Sequence, residues 1–440
     1  MTRAQAACLI AAALPALGTG AGCAGGRDRD RVVTLRFWAM GREGEVVQEL
    51  ARDFTRENPD VRVEVQQIPW SAAHEKLLTG YVGRATPDLA QLGNTWIAEF
   101  AALRALEPLD ARIAVSSVVA PAAYFRGIWE SNVMGNVTFG VPWYVDTRLL
   151  FYRRDLLAKA GYDSMPDTWD GWRAAMLAMK RAGGPDHYPL FLPLNEWQPQ
   201  AVLGLQAGSP LLSDGATRGA FAAPEFRRAF AFYVGLFRDG LAPPVGANDI
   251  ANVYQEFARG YIAMYITGPW NLGEFRNRLP AELQDAWSTA PLPGPDGPAS
   301  GVSLAGGSSL VLFRGSKHKE AAWRLIEFLS RPERQEQFYR LTGDLPARHE
   351  AWTAAGLTAD PRARAFWRQL QRVVPTPMVP EWEQIATRLQ ERAEQAVRGT
   401  APPDSVLARL DGDAARILEK RRWLLARGRV SPGSAKDAAP

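Results

Sequence analysis

From Val32 onward the chain alternates β-rich runs with amphipathic helical runs, and this alternation constrains the fold more than any other feature. Residues 32–38 are β-rich. Residues 43–58 then place Val46, Leu50 and Phe54 on one helical face and stop at Asn58-Pro59. Val61, Val63 and Val65 alternate with Arg62, Glu64 and Gln66, the pattern of a half-buried strand. Ser71 caps a helix to about Gly83, residues 88–92 form a third strand, and 95–103 a third helix. Strand–helix repetition of this kind predicts a parallel sheet wrapped by helices. Ligands of such sheets sit beyond the carboxyl ends of the strands, which brings residues 39–43, Trp70 and 93–96 together. A second α/β body begins at 141–152. In it Thr168 caps a helix over 169–181, residues 188–193 and 260–266 read as strands, and 308–313 returns as a strand before an amphipathic helix at 319–329. Beyond Pro380 the pattern is helical to about Leu425.

Before this body lies a targeting segment. Arg3 supplies a positive start, and residues 6–17 are apolar for a dozen positions, too short to span a membrane. Gly20-Ala21-Gly22 then precede Cys23, an arrangement that resembles the lipobox of bacterial lipoproteins, with Gly20 where that motif prefers Leu. The second cysteine, Cys8, lies inside the segment to be removed. The mature chain would hold Cys23 alone, with no internal disulfide and one thiol placed for lipid attachment. Residues 1–22 are therefore expected as a signal peptide, 23–31 as a lipidated polar tether, and 426–440 as a disordered tail.

The chain does not show a catalytic or metal centre. Its four His are at least 31 residues apart (His318 to His349), so no local metal-ligand spacing exists. His74-Glu75 lacks the second His of a zinc-protease helix, Ser303 falls short of a nucleophile elbow, and no phosphate-binding Gly-rich loop occurs. No cofactor and no metal is expected. With 51 basic and 47 acidic residues and no dense Lys/Arg block, nucleic acid is not an indicated partner.

What stands out is Trp, 15 in all, several next to strand ends: Trp38, Trp70, Trp96, Trp143 and Trp270. Trp172 and Trp323 lie inside amphipathic helices and read as core. Aromatic plates beside amides and carboxylates such as Asn94 and Asp146 suit a sugar, whose C–H face stacks and whose hydroxyl rim hydrogen-bonds.

The motifs "GVPWYVDTRLLFYRRDLLAKAG", "MPDTWDGW", "YIAMYITGPWNLGEF", "GGSSLVLFRGSKHKEAAWRLIEFLS" and "TGDLPAR" together resemble the bacterial extracellular solute-binding proteins, family 1, the sugar-capturing subunits of ABC importers, similar to maltose- and trehalose-binding proteins. The resemblance covers residues 32–425. It implies an α/β, two-lobed periplasmic-binding-protein fold with several hinge crossovers, expected near 146–149, 299–305 and 331–336, and a ligand cleft between the lobes. The first lobe would comprise 32–145 plus 304–330, the second 146–303 plus 331–425. By motif, Glu43 would contact a hydroxyl, Asn94 and Trp96 would line the first lobe, Tyr144 and Asp146 would lie at the hinge, and Trp270 would be the main stacking plate. Gly306 and Gly307 would let backbone approach the ligand, and Arg348 would donate to ring or glycosidic oxygens. Arg42 beside Glu43 could favour an acidic ligand; the plain alternative for this pair is a solvated helix start.

The implied function is capture of a di- or oligosaccharide by a monomer. It would be lipid-anchored at Cys23, periplasmic or at the cell surface, and would deliver its load to a membrane permease without catalysis. One rival is a binder of glycerol-phosphodiester or polyamine, which would need cations, or several acids, in the cleft. Another is an exported glycoside hydrolase, which would need two carboxylates straddling the sugar.

Overall fold

The computed structural model describes residues 32–427; the expected signal peptide, the Cys23 lipid site, the tether and all but the first two residues of the expected tail lie outside them. Two sheets organise the chain. The first has six strands in the order Leu345–Pro346, Gly140–Asp146, Gly306–Leu312, Leu89–Gly93, Val33–Met40, Val61–Ile68. The second has four, in the order Trp287–Ala290, Leu149–Arg153, Ile262–Thr267, Tyr188–Phe191.

The parallel sheet expected from the strand–helix pattern holds for only part of the first lobe. Val33–Met40 runs parallel to both Val61–Ile68 and Leu89–Gly93. Gly306–Leu312 is antiparallel to both its neighbours, and Leu345–Pro346 is antiparallel to Gly140–Asp146. Gly306–Leu312 returns from the other lobe without a helical crossover within this sheet, so nothing forces it parallel to its neighbours.

Amphipathic packing supplies the layers. Helix Gly41–Glu57 buries Val47, Leu50, Ala51 and Phe54 and leaves its charged side to water. Phe54 meets Phe328 of helix Lys319–Ser330 edge-on, with ring centroids 5.4 Å apart. In the second lobe Thr168 caps helix Trp169–Gly183 by accepting from the Gly171 N–H, and Trp172 and Met176 pack into the core with Leu190 and Met264. Helix Trp70–Val82 begins one residue before Ser71, and Pro69 takes the capping position with no side-chain bond.

The chain passes between the sheets at 147–148 and again between Trp287–Ala290 and Gly306–Leu312. The third passage is not at 331–336. Helix Pro332–Thr342 stays in the first lobe, where Arg334 pairs with Asp53 at 3.0 Å and Glu57 at 2.8 Å on helix Gly41–Glu57. The Trp352 indole, on the next helix, donates to Pro346 O at 2.8 Å. Helix Pro361–Leu370 is the next to pack on the second sheet: Phe366 meets Phe151 and the Thr289 hydroxyl donates to Arg362 O. Arg331-Pro332 is thus a turn between two helices of one lobe, and the passage falls at 355–360.

Candidate functional site

Between the lobes lies a cleft with a cavity volume of ≈ 540 Å³, within the range of about 300–1,000 Å³ usual for small-molecule sites. Its first wall is built at strand ends. Glu43 sits in the first turn of the helix that follows the first strand, only 8% exposed. Its Oε1 accepts the Tyr144 hydroxyl proton at 2.9 Å. The Tyr144 oxygen in turn accepts from Gln91 Nε2 at 3.1 Å and Ser308 Oγ at 3.0 Å. Burial raises the Glu43 pKa against the lowering effect of backbone and Tyr144 hydrogen bonds. Tyr144 is pushed well above the ordinary phenol value, by burial and then by Glu43. On the neighbouring loop, Asp344 is pushed up to about 8, by burial first and then by the charge of Glu43, with Asp146 adding to it.

Asn94 also lies in this wall, with its amide already engaged. Nδ2 donates to Ser131 Oγ at 2.8 Å, and Oδ1 accepts from Ser309 Oγ at 3.1 Å. Trp96 faces the cleft beside Trp70, ring centroids 5.7 Å apart, and His74 lies 5.1 Å from it on the same helix as Trp70. The His74 ring bonds Glu99 at 2.6 Å, which raises its pKa.

The second wall is more open. Trp270 follows strand Ile262–Thr267 and is 41% exposed. Trp197, Gln198, Thr376 and Glu383 complete it. Gln198 Oε1 here, and Thr147 Oγ1 at the hinge, are buried and have no hydrogen-bond partner among the described residues, groups that a bound polar molecule would satisfy. At the hinge Arg148 Nη1 bonds both carboxylate oxygens of Asp146, at 3.0 and 3.1 Å. The cleft thus collects the acids Glu43, Asp146, Asp344 and Glu383 around one cation, Arg148.

The profile of the bacterial extracellular solute-binding proteins matches residues 39–336. The chain belongs to this family. It is 48% identical to the sugar-binding protein MalE of Xanthomonas citri, whose structure superposes with a TM-score of 0.87 over 90% of this chain and 100% of that one. A lipoprotein of Streptomyces antibioticus is 28% identical over 71% of this chain and 70% of its own length. The galactooligosaccharide-binding protein of Bacillus subtilis is 24% identical over 85% of this chain and 86% of its own.

In this solute-binding protein, Glu43, Asn94, Trp96, Tyr144, Asp146, Trp270, Gly306 and Gly307 come together around the cleft. Arg348 does not. It is 7% exposed and its guanidinium donates to Val118 O at 2.8 Å, Ser330 O at 3.2 Å and Glu350 at 2.7 Å, so its donors tie first-lobe segments together. Arg42 points outward to Glu45 at 3.0 Å, while its neighbour Glu43 turns in. Gly307 answers to the sheet as well as to the cleft: with φ +118° a Cβ would fall 2.3 Å from Tyr144 O on the next strand. Trp38 and Trp143 are core; Trp143 stacks on Phe338 with centroids 4.3 Å apart. Trp172 and Trp323 are buried.

Sequence reasoning missed Asp344, Arg148, Trp197, Gln198, Thr376 and Glu383. Asp344 and Arg148 stand in the quoted runs "TGDLPAR" and "YVDTR", where an ionisable residue beside a glycine or a hinge strand was the available signal. Trp197, Gln198, Thr376 and Glu383 reach the cleft from elements whose local pattern says nothing of it.

Proposed function

We propose that this chain is the substrate-binding subunit of an ABC importer and captures a di- or oligosaccharide in the interlobe cleft for delivery to a membrane permease. One observation carries this reading. An exposed indole, Trp270, projects from one lobe across from a rim of carboxyl groups, Glu43, Asp146 and Asp344, on the other lobe and the hinge. That pairing matches a guest with an apolar C–H face and a rim of hydroxyl donors. The MalE and galactooligosaccharide-binding relatives point to the same ligand class. Ligand that touches both walls favours the closed form by its differential affinity for it. The protein acts as a monomer, anchored outside the inner membrane through lipid on Cys23, in keeping with a lipoprotein relative.

The electrostatics weigh against a phosphodiester. Arg42 faces solvent, Arg348 is consumed in the first lobe, and Arg148 is neutralised by Asp146. Thermal-shift screening of the mature soluble chain against maltose, trehalose and longer oligosaccharides, with glycerophosphodiesters and spermidine in parallel, tests the reading. A sugar at 100 times its Kd should stabilise by about 2.7 kcal/mol; stabilisation by phosphodiesters or spermidine alone would replace it. A protonated Asp344 close to Asp146 is also the pairing a glycosidase would use. Recovery of the bound sugar intact after long incubation supports binding without turnover, and cleavage products would refute it.

A further inference from the structure

Trp270 is not a bare plate. Its six-membered ring rests against Gly268, where a Cβ would come within 1.9 Å of the ring atoms, so only glycine allows this placement. Over the ring lies Arg148, its guanidinium carbon 4.6 Å from the centroid. Arg148 is held there from two sides. Asp146 takes Nη1 on both oxygens, and the Arg148 carbonyl accepts from Ser303 Oγ at 2.8 Å. The contact spans the lobes' junction, because Arg148 sits at the first hinge passage and Trp270 at the end of a second-lobe strand.

We propose that Arg148 is a specificity-determining residue of the cleft, an internal competitor for the Trp270 plate that a sugar must displace before it can stack. The inference rests on the sugar reading above. A planar guanidinium and a pyranose face both use the indole at van der Waals separation, so the two cannot share one face. A ligand with a continuous C–H face and several hydroxyls replaces the lost cation–π contact and more. A small polyol gains too little area to do so and is rejected. The displaced guanidinium keeps its tether to Asp146 and swings clear of the stacked ring.

The test compares wild type with Arg148→Ala, Arg148→Lys, Trp270→Phe and Arg148→Ala/Trp270→Phe by calorimetric titration with maltose and trehalose. Arg148→Ala should bind the better sugar about two- to fivefold tighter, the range of an exposed cation–π contact. Arg148→Lys should fall between it and wild type, and the Trp270→Phe background should shrink the gain. Binding equal to or weaker than wild type in Arg148→Ala overturns the proposal. Where Arg148→Ala does not fold, Arg148→Lys, which keeps a cation for Asp146, carries the comparison. A second arm needs no sugar. Acrylamide quenching of the Trp270 signal, taken as the difference from the matching Trp270→Phe variant, should rise when Arg148 is removed. Unchanged quenching refutes the contact. If neither sugar binds wild type, the sugar reading is what fails, and the quenching arm alone judges the Arg148–Trp270 pair.

Discussion

The two walls of the cleft are made differently. In the first wall Glu43, Tyr144 and Asn94 are already hydrogen-bonded within the lobe: Glu43 to Tyr144, Tyr144 to Gln91 and Ser308, Asn94 to Ser131 and Ser309. In the second, an indole is 41% exposed and the Gln198 Oε1 has no partner among the described residues. A bonded wall holds its acceptors in place before ligand arrives, which limits the ordering cost of binding. An unsatisfied wall gains most when ligand fills it. The first therefore fixes orientation, and the second supplies the energy that draws the lobes together.

Breaking the second wall at its plate should have the largest effect. Trp270→Ala removes an aromatic face whose burial is worth about 2–3 kcal/mol, so sugar affinity should fall about 30- to 150-fold. The melting temperature of the free protein should change little, since the side chain is 41% exposed and packs against Gly268 and the Arg148 guanidinium at the cleft's edge rather than in a core. Calorimetric titration alongside a melting curve checks both; unchanged affinity would remove Trp270 from the site. In the first wall Glu43→Gln replaces a buried charged acceptor. A hydrogen bond to a charged group is worth about 1.5–3 kcal/mol, so affinity should drop at least about tenfold. Here stability should move too, because the Tyr144 hydroxyl loses an ionised partner.

Asp344 sharpens the contrast through pH. Its folded pKa, about 8, stands above the ordinary carboxyl value of 3.8. The favourable contribution of its protonated form is complete below the unfolded value and is lost as pH rises through about 8. Asp344→Asn cannot ionise, so it should melt above wild type at pH 9, by a few degrees, and close to it at pH 5. An identical offset at both pH values would place Asp344 in water rather than in the wall.

Most of the first wall was legible from sequence, because its residues follow strands whose alternation is local. Glu43 and Asn94 come one turn or less after Val33–Met40 and Leu89–Gly93, and the carboxyl-end rule brings such positions together. Trp270 was legible for the same reason. Arg348 was not: it stands in the run "TGDLPAR", but whether a guanidinium points into a cleft or ties carbonyls together depends on contacts with Val118, 230 residues away, and Ser330. The third lobe passage failed likewise, since Pro332 marks a helix start without saying which lobe receives the helix. Glu383 arrives from a second-lobe helix and Trp197 from the residue before another, and only the packed structure brings them to the cavity.

The smallest effect should come from Gln198, and it discriminates between the walls most cleanly. Its Oε1 is buried without a partner among the described residues, so Gln198→Ala removes a desolvated acceptor that contributes nothing to the free protein. Melting temperature should stay level or rise slightly, because an unsatisfied buried group costs free energy. If ligand donates to that oxygen, losing the bond should weaken binding by about one net hydrogen bond, about 0.5–1.5 kcal/mol, or roughly two- to tenfold. Ser309→Ala, across the cleft, should do the reverse: it strips Asn94 Oδ1 of its donor and lowers stability while leaving affinity nearly intact. Should both substitutions act on stability alone, the second wall would be as prebuilt as the first, and closure would have to draw its energy from Trp270 by itself.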